Sequence, residues 1–386
     1  MDNYYDILLG IYAAGLAAVN GEHAVYRALV RRGRREPCHA IAIGKAADAM
    51  LQGACRYLHE NLQSGLLITK HAHVSDKTAA LENVQVIESS HPLPDESSLQ
   101  AGQALLDYLQ QLPENAPLLF LISGGASSLV EVLEEGWTLQ GLQDATANLL
   151  ADGSPISEIN AMRRSLSLIK GGKLWQYVGE RPVTCLLISD VPGDDPAVIG
   201  SGLLFPAPKD DFDWEIIASN KQALEAMADS CSSPDKGRPG GVSSCTIMPD
   251  FLEGDAATAA QTCIEHLRNS TPGIYLWGAE TTVLLPANPG RGGRNQHFAL
   301  AAALHIQPDE NLFLLAAGTD GTDGVTADAG ARVDNGTLRR GKYQNLDPEA
   351  CLQNADAGTF LEASGDLIHT GPTGTNVMDV IIGLKL

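Results

Sequence analysis

Positively charged side chains collect in two glycine-rich stretches of a chain that is otherwise strongly acidic. The chain has 47 acidic and 26 basic residues, yet residues 160–175 contain four cations and no acid, and residues 286–297 contain two arginines and no acid. Glycines let backbone N–H groups approach an anion closely, and cations add charge-assisted hydrogen bonds. A solvated basic helix face is the alternative for residues 160–175. We expect the following residues to form an anion-binding site: Lys170, Arg291, Gly292, Gly293, Arg294 and Asn295.

Two apolar runs end in glycine turns of a kind that can hold phosphate. Gly44-Lys45 follows residues 40–43, and Ser123-Gly124-Gly125 follows residues 118–122. A helix that starts after such a turn offers unpaired N–H groups to an anion, and a lysine there adds charge. The alternatives are an ordinary surface lysine for the first turn and a tight turn with a serine cap for the second.

Aspartates cluster after two further apolar runs. Asp190 begins a group of three aspartates that follows residues 183–188, and Thr319, Asp320 and Asp323 follow residues 312–316. Magnesium takes one or two carboxylates plus substrate phosphates, and a general base needs a carboxylate within reach of a hydroxyl. Aspartate is also a common turn former, so each of these residues has a structural alternative.

Three other patterns are rejected as sites. Residues 336–343 match a phosphate-binding loop except at Tyr343, where a Ser or Thr hydroxyl is needed. His71 and His73 form a pair with no third metal ligand in view. No GxGxxG dinucleotide fingerprint occurs, which removes the main support for an NAD-dependent dehydrogenase.

The elements that must position these residues follow an alternating pattern. Short apolar runs enter glycine-rich turns and helical patterns follow, which predicts an α/β fold with a mostly parallel sheet. A Ser/Pro/Gly-rich break at residues 230–241 predicts two domains, 1–235 and 242–386. In the second domain we expect two strands across a short turn, residues 274–277 and 281–285.

Composition excludes several classes of protein. A hydrophobic content of 44% excludes a mainly disordered chain, and a net charge of −21 disfavours nucleic acids and anionic membranes as partners. Seven scattered cysteines without a CxxC pair favour reduced thiols in the cytoplasm. Residues 7–19 are apolar, but the acidic flank predicts an amphipathic helix instead of a signal peptide.

These segments together resemble the type II glycerate kinases, the glycerate 2-kinase family with a C-terminal MOFRL domain. The resembling segments occur in family order over nearly the whole chain. They are AIGKAADAM (42–50), HPLPDE (91–96), LISGGASSL (121–129), INAMRRSLSLIKGGKL (159–174), ISDVPGDDPAVIGSGLL (188–204), GAETTV (278–283), GRGGRNQHFAL (290–300), AAGTDGTDGVTADAGA (316–331) and GDLIHTGPTGTNVMDVII (365–382).

The resemblance implies ATP- and Mg²⁺-dependent phosphorylation of the C2 hydroxyl of D-glycerate, giving 2-phosphoglycerate and ADP. It also implies a Rossmann-like N-terminal domain, a smaller α/β C-terminal domain and an active site in the interdomain cleft. Some members are called hydroxypyruvate reductases, so an NAD(P)H-dependent reductase is the alternative. Ala126 departs from the family's serine-glycine loop and restricts the backbone of the expected phosphate site.

Residue roles follow from the resemblance and the residue patterns together. We expect Lys45, Arg294 and Asp190 to be catalytic, and Asp190, Asp320 and Asp323 to be the candidates for holding Mg²⁺. The residues expected to bind substrate or nucleotide are Gly44, Ser123, Gly124, Gly125, Lys170, Arg291, Gly292, Gly293, Asn295 and Thr319. We expect the small-molecule substrates, D-glycerate and ATP, as binding partners. The assembly that we consider is a homodimer.

Overall fold

A computed structural model describes residues 2–33, 35–151, 156–208, 212–232 and 244–386. Most of the predicted junction at residues 230–241 lies outside these ranges. Within them, every helix is too short or too polar to cross a membrane.

The strands, in chain order, are β1 (Cys38–Ile43), β2 (Leu62–Lys70), β3 (Val84–Ser89), β4 (Leu118–Ile122), β5 (Val183–Ile188), β6 (Asp213–Ala218), β7 (Cys245–Ile247), β8 (Leu252–Asp255), β9 (Gly273–Thr282), β10 (Leu312–Gly318), β11 (Gly330–Val333), β12 (Leu367–Ile368) and β13 (Asp379–Lys385).

The helices, in chain order, are α1 (Asp2–Val19), α2 (Gly21–Arg32), α3 (Ala47–Leu58), α4 (Asp76–Ala79), α5 (Glu96–Gln111), α6 (Ala126–Leu129), α7 (Leu139–Ala151), α8 (Ile156–Ser165), α9 (Trp175–Val178), α10 (Asn220–Ser232), α11 (Ala256–Asn269), α12 (Arg294–His305), α13 (Thr337–Tyr343), α14 (Pro348–Gln353) and α15 (Ala357–Ser364).

The first compact unit, called here the parallel-sheet unit, comprises Asn20–Ser219 and Gly374–Asn376. Its six strands lie in the order β3-β2-β1-β4-β5-β6, and every neighbouring pair is parallel. This is the strand order of dinucleotide-binding α/β folds, which confirms the Rossmann-like prediction. All five residues of β4 are buried because helices cover both faces of such a sheet. The order reverses between β1 and β4, where ligands bind in open sheets of this kind.

The second compact unit, called here the mixed-sheet unit, comprises Met1–Val19, Asn220–Thr373 and Val377–Leu386. Its strands lie in the order β12-β11-β10-β13-β9-β7, and β8 also pairs with β9. Strands β10, β11 and β13 run antiparallel to their neighbours, whereas β7 and β8 run parallel to β9. This mixed α/β unit agrees with the predicted fold class.

Strand β10 shows how the mixed sheet is covered on both faces. Leu314 and Ala316 join a core with helices α11, α12 and α15, while Phe313 and Leu315 join a core with α1 and α10. Side chains that alternate along a strand point to opposite faces, so each face of the sheet carries its own helical layer. The helix predicted for residues 7–19 is therefore confirmed, and it packs on this sheet.

The compact units do not coincide with the predicted spans 1–235 and 242–386. Helices α1 and α10 lie within the first span, yet both belong to the mixed-sheet unit. Their apolar side chains, such as Tyr12 and Met227, are buried in its core. Sequence order alone does not reveal which sheet an amphipathic helix will cover.

The prediction of two strands at residues 274–277 and 281–285 is wrong. Strand β9 runs without a turn from Gly273 to Thr282, and β13 pairs with it from Gly273 to Ala279. Leu284 is 94% exposed, so the apolar residues after Thr282 do not form a buried strand. Residues 337–343 form helix α13, which agrees with the rejection of a phosphate loop there.

Candidate functional site

Lys45, Ser123 and Asp190 follow the carboxyl ends of three adjacent parallel strands, β1, β4 and β5. Parallel strands present their carboxyl ends at one edge of the sheet, so these residues share that edge of the parallel-sheet unit. The sequence-based placement of the three residues after buried strands is thus confirmed, whereas their chemical roles stay predictions.

The turn after β1 and the turn after β4 are joined by hydrogen bonds. The backbone N–H of Lys45 donates to the Gly124 carbonyl at 2.9 Å, and Ser123 N–H donates to the Ile43 carbonyl at 3.0 Å. The Ser123 hydroxyl accepts from Ala46 N–H at 3.1 Å, just before α3 begins. Gly44 has φ +133°, and a side chain there would overlap Ser123. Ser123 is fully buried, so its hydroxyl fixes the turn at the start of α3.

Gly124 lies directly against a carboxylate and an amide. A Cβ atom at Gly124 would overlap the Asp190 carboxylate and would lie 2.6 Å from Asn376 Nδ2. The Asn376 amide donates to Asp190 Oδ2 at 3.4 Å. Glycine at this position therefore lets Asp190 and Asn376 approach the backbone of the turn. Asn376 was missed by sequence reasoning, although it stands in the resembling segment 365–382.

Gly125 lies against a lysine and a histidine. Its φ is +82°, and a Cβ atom there would be 3.2 Å from Lys45 Cγ and 3.0 Å from His91 Cδ2. The half-buried Lys45 side chain thus passes beside Gly125. In the same turn, the Asp190 carboxylate lies against Gly124. This cluster, called here the Gly124 cluster, combines an ammonium, an imidazole, a carboxylate and an amide. Such a set can bind an anion and accept a proton from a hydroxyl.

Lys170 does not present its charge to solvent. Its side chain is fully buried, and the ammonium donates to the equally buried Glu131. Burial lowers the pKa of Lys170, and Glu131 opposes that change. Lys173 is paired with Glu134 at 3.0 Å. The expectation that Lys170 binds nucleotide is therefore corrected for this structure, because a buried internal ion pair occupies the ammonium.

Arg294 is the first residue of α12 in the mixed-sheet unit, and two acids hold its guanidinium. Both Asp379 carboxylate oxygens accept from it, and Glu280 accepts from a third nitrogen. Burial alone would lower the pKa of Arg294, but Asp379 and Glu280 raise it. Asp379 is 2% exposed. Glu280 and Asp379 were missed by sequence reasoning because each is an isolated acid on a strand far from Arg294 in sequence.

Asp323 caps helix α12. Its two carboxylate oxygens accept from the backbone N–H groups of Asn295 at 3.0 Å and Gln296 at 2.8 Å. Burial raises the pKa of Asp323 to about 7, although these N–H donors act to lower it. Gly293 is required here because a side chain would overlap Asp323. The expectation that Asp323 holds Mg²⁺ is corrected for this structure, since both of its oxygens face the helix.

Thr319 and Asp320 differ in what they offer a ligand. The Thr319 hydroxyl donates to the Met378 carbonyl at 2.7 Å and accepts from Val377 N–H at 2.8 Å, so it has structural partners. Asp320 Oδ1 and Asp379 Oδ1 lie 3.5 and 3.4 Å from the Cβ position of Gly318. The two carboxylates therefore approach one point at the end of β10.

Arg291 is paired within the loop before α12. Its guanidinium donates to Asp328 at 2.9 Å and also to Glu362, while its backbone N–H donates to Asp356 at 2.8 Å. Among the residues that the structure describes, no group of three His, Cys, Asp or Glu side chains is arranged to hold a metal ion. A magnesium site built from one or two carboxylates and substrate phosphates does not need such a group.

The chain is similar to known proteins over most of its length. Residues 7–232 match the family described as a domain of unknown function (DUF4147), and residues 273–379 match the MOFRL family.

A Thermotoga maritima protein named D-glycerate 2-kinase is 34% identical over 377 residues, which is 89% of each chain. An Agrobacterium vitis protein named putative hydroxypyruvate reductase is 33% identical over 387 residues, 89% of this chain and 98% of its own. The crystal structure of a Thermotoga maritima glycerate kinase matches with a TM-score of 0.86 and 31% identity over 100% of both chains.

Proposed function

Because the chain belongs to the type II glycerate kinase (glycerate 2-kinase) family, we propose that it transfers the γ-phosphoryl group of ATP to the C2 hydroxyl of D-glycerate. The products are 2-phosphoglycerate and ADP. The observation that carries the chemistry is the Gly124 cluster, where Lys45 and Asp190 contact adjacent glycines of one turn. Phosphoryl transfer requires positioning and charge stabilisation more than covalent chemistry, and this cluster supplies groups of that kind.

We assign the residues of the Gly124 cluster as follows. The C2 hydroxyl attacks the γ-phosphorus while Asp190 accepts its proton, and the bond to the bridging oxygen of ADP breaks. Asn376 orients Asp190 through its hydrogen bond of 3.4 Å. The ammonium of Lys45 stabilises negative charge on the transferring group.

Arg294 is proposed to act on the same phosphoryl group or on the glycerate carboxylate. Its guanidinium is already oriented by Asp379 and Glu280, and an oriented guanidinium matches the geometry of phosphate and carboxylate. Its action together with Lys45 stays a prediction.

Magnesium fits the Asp320 carboxylate at the end of β10. One or two carboxylates with phosphate oxygens are the usual protein ligands of this ion. When bound, Mg²⁺ would neutralise phosphate charge and orient the leaving group. We propose Asp320 as its ligand in the mixed-sheet unit, with Asp190 as the alternative, because both oxygens of the neighbouring Asp379 accept from Arg294.

We also propose that the protein works in the cytoplasm, because all seven of its cysteines are free thiols. We propose glycerate and ATP as its binding partners. A homodimer stays a prediction.

Product analysis tests the proposed activity. Purified protein is incubated with D-glycerate, ATP and Mg²⁺, and phosphorus NMR identifies the product. We expect 2-phosphoglycerate, with ADP released in equal amount. A 3-phospho product, or no ADP release above a sample without glycerate, would contradict the proposal. Loss of NADH absorbance with hydroxypyruvate would instead support the reductase activity for which one relative is named.

A further inference from the structure

A fully buried ion pair joins the segment after helix α6 to a glycine-rich loop of the parallel-sheet unit. Glu131 lies two residues after the end of α6, and Lys170 lies 39 residues further along the chain. Both side chains have no exposed surface, and the Lys170 ammonium donates to a carboxylate oxygen of Glu131. Taking two charges out of water is costly, so a buried pair is not by itself evidence of added stability. Stability alone therefore does not explain this pair.

Helix α6 is part of a closed chain of contacts that includes the ion pair. The Ser127 hydroxyl in α6 shares a hydrogen bond of 2.7 Å with the Ser201 hydroxyl. The Ser201 carbonyl accepts from Gly171 N–H at 3.0 Å, and Gly171 directly follows Lys170. The ion pair then connects Lys170 to Glu131. Helix α6 and the segment after it are thus tied to the same glycine-rich loop.

Glu131 is itself held firmly by its surroundings. Its N–H donates to the Ser98 carbonyl at 3.0 Å, and its other carboxylate oxygen accepts from Val132 N–H at 3.0 Å. A Cβ atom at Gly102 would overlap the Glu131 carbonyl, so helix α5 packs directly on this residue. The ion pair therefore attaches Lys170 to a segment that α5 already holds.

The helix fixed in this way begins at the Gly124 cluster. Helix α6 starts at Ala126, directly after Gly125. The N–H and the hydroxyl of Ser128 both donate to the Gly125 carbonyl at 3.1 Å, so the turn and the helix form one hydrogen-bonded unit. A displacement of α6 therefore moves the backbone that Asp190 and Lys45 contact. Misplacement of reacting groups by about 1 Å can slow a reaction about a hundredfold.

We propose that Lys170 and Glu131 are positioning residues for phosphoryl transfer, which hold helix α6 and thereby the Gly124 cluster in place. Both act through α6 and not by contact with substrate. Their role rests on the proposed function, because it gives the pair a part in that reaction. An ion pair fixes one arrangement of two segments, whereas two apolar side chains of similar volume can pack in several.

A second ion pair provides a matched comparison. Glu134 and Lys173 each lie three residues beyond Glu131 and Lys170, and their charged atoms are 3.0 Å apart. The Lys173 and Glu134 side chains are 31% and 44% exposed, and exposed pairs contribute little to stability. This pair links the same two segments without burial. We therefore expect its loss to leave the reaction unchanged.

The double variant Lys170→Met/Glu131→Gln removes both charges, and the glutamine can still accept from Val132 N–H. It leaves no unpaired buried charge, so Tm should stay within about 5 °C of the natural value. We expect kcat for D-glycerate to fall about tenfold, while KM for ATP changes less than about threefold. Hydrogen–deuterium exchange, measured by mass spectrometry on the full-length protein, should become about tenfold faster at the amides of residues 128–131.

Lys173→Met/Glu134→Gln is the matched control, and it should keep the natural kcat and the natural exchange at residues 128–131. Glu131→Asp is the second test, to be used if the charge-free double variant does not fold. It keeps both charges but withdraws the carboxylate by one methylene group. We expect the same direction of change in kcat and in exchange, with a smaller size.

The results separate the positioning role from the proposed function. A natural kcat in the folded test variant would overturn the positioning role, because the pair would then serve stability alone. A reduced kcat with natural exchange at residues 128–131 would also overturn it, because the effect would not pass through α6. If the natural protein does not phosphorylate glycerate, the proposed function fails, and the exchange measurement alone decides whether the pair fixes α6.

Discussion

Lys45 is the side chain whose loss is expected to affect turnover most directly. In Lys45→Met, whose parent side chain passes Gly125 with its Cγ atom, the ammonium is removed while an unbranched side chain of similar length remains. We expect kcat to fall by at least about a hundredfold, because charge on the transferring group loses a stabilising cation, and Tm to stay unchanged. Steady-state ADP release and thermal unfolding measure both. Lys77→Met, an exposed lysine on α4, is the matched control. A Lys45→Met enzyme with more than half the normal kcat would refute the assignment.

Gly124 tests the cluster without removing any charged group. In Gly124→Ala, the new methyl group overlaps the Asp190 carboxylate and crowds the Asn376 amide. We expect kcat to fall about tenfold or more with a smaller change in KM for ATP, because the proton acceptor is displaced. Gly10→Ala on α1 is the control, since no atom lies within 4 Å of its added Cβ. Equal kcat in both variants would show that the approach of Asp190 to Gly124 is irrelevant to turnover.

Sequence alone identified some residues of the candidate site and missed others for a physical reason. Lys45 and Asp190 could be predicted because each follows a run of buried apolar residues, and parallel strands end at a common edge. Asn376, Glu280 and Asp379 could not be predicted. Each of them matters because it contacts a site residue that lies more than ten residues away in sequence. Lys170 was misjudged since sequence does not show that Glu131 is buried beside it.

At the scale of elements, Asp323 links the stability of helix α12 to pH. Burial raises the pKa of Asp323 to about 7, so the folded protein binds the carboxyl proton of Asp323 more tightly than the unfolded chain does. Its contribution to stability is complete below the carboxyl's unfolded pKa of about 4 and is lost as pH rises through 7. We expect the stability of the natural protein, measured by urea unfolding, to fall between pH 5 and pH 7.5.

Asp323→Asn isolates this contribution. The neutral amide cannot ionise, so its unfolding free energy should lack the part of the slope that Asp323 supplies, at most about 1.4 kcal/mol per pH unit. The stability of the natural protein relative to the variant should therefore shrink as pH rises. A difference that is constant from pH 5 to pH 7.5 would show that Asp323 does not titrate in this range. Gln103→Ala on the exposed face of α5 is a control without a carboxylate.

Elements were more predictable than the residues that join them. The apolar runs at residues 40–43, 118–122 and 183–188 correspond to β1, β4 and β5, because buried parallel strands need continuous apolar sequence. The run at 281–285 misled because apolar residues that end at Pro286 resemble a strand, although β9 had already ended at Thr282. Pairing with β8, whose last residue Asp255 pairs with Thr282, sets that boundary, and a pairing partner on another strand leaves no local signal.

At the scale of the whole molecule, the net charge of −21 makes the binding of ATP a problem of local charge. Arg291, Arg294 and Lys170 all form ion pairs with acids of their own units. These cations alone therefore leave little free positive charge for a polyphosphate. The proposed Mg²⁺ would supply the charge that they lack, so its removal by excess EDTA should abolish ADP release, and added Mg²⁺ should restore it. Full activity in EDTA would show that the protein cations suffice.

Arg294→Lys tests whether Arg294 of the mixed-sheet unit serves the same reaction as Lys45 of the parallel-sheet unit. Arg294→Lys keeps a positive charge beside Asp379 and Glu280, so it avoids leaving those acids unpaired, but it loses the two-point geometry of the guanidinium. We expect kcat to fall about tenfold in Arg294→Lys.

The double variant Lys45→Met/Arg294→Lys tests whether Arg294 and Lys45 stabilise the same transferring group as a unit. If they do, the double variant should be only slightly slower than Lys45→Met alone, because the effects of substituting residues that act together do not add. Single-turnover rates for the four proteins measure this, with thermal unfolding of each as the check on folding. A double variant slower by the full product of the two single effects would mean that the two cations act independently, and the joint assignment would then be wrong.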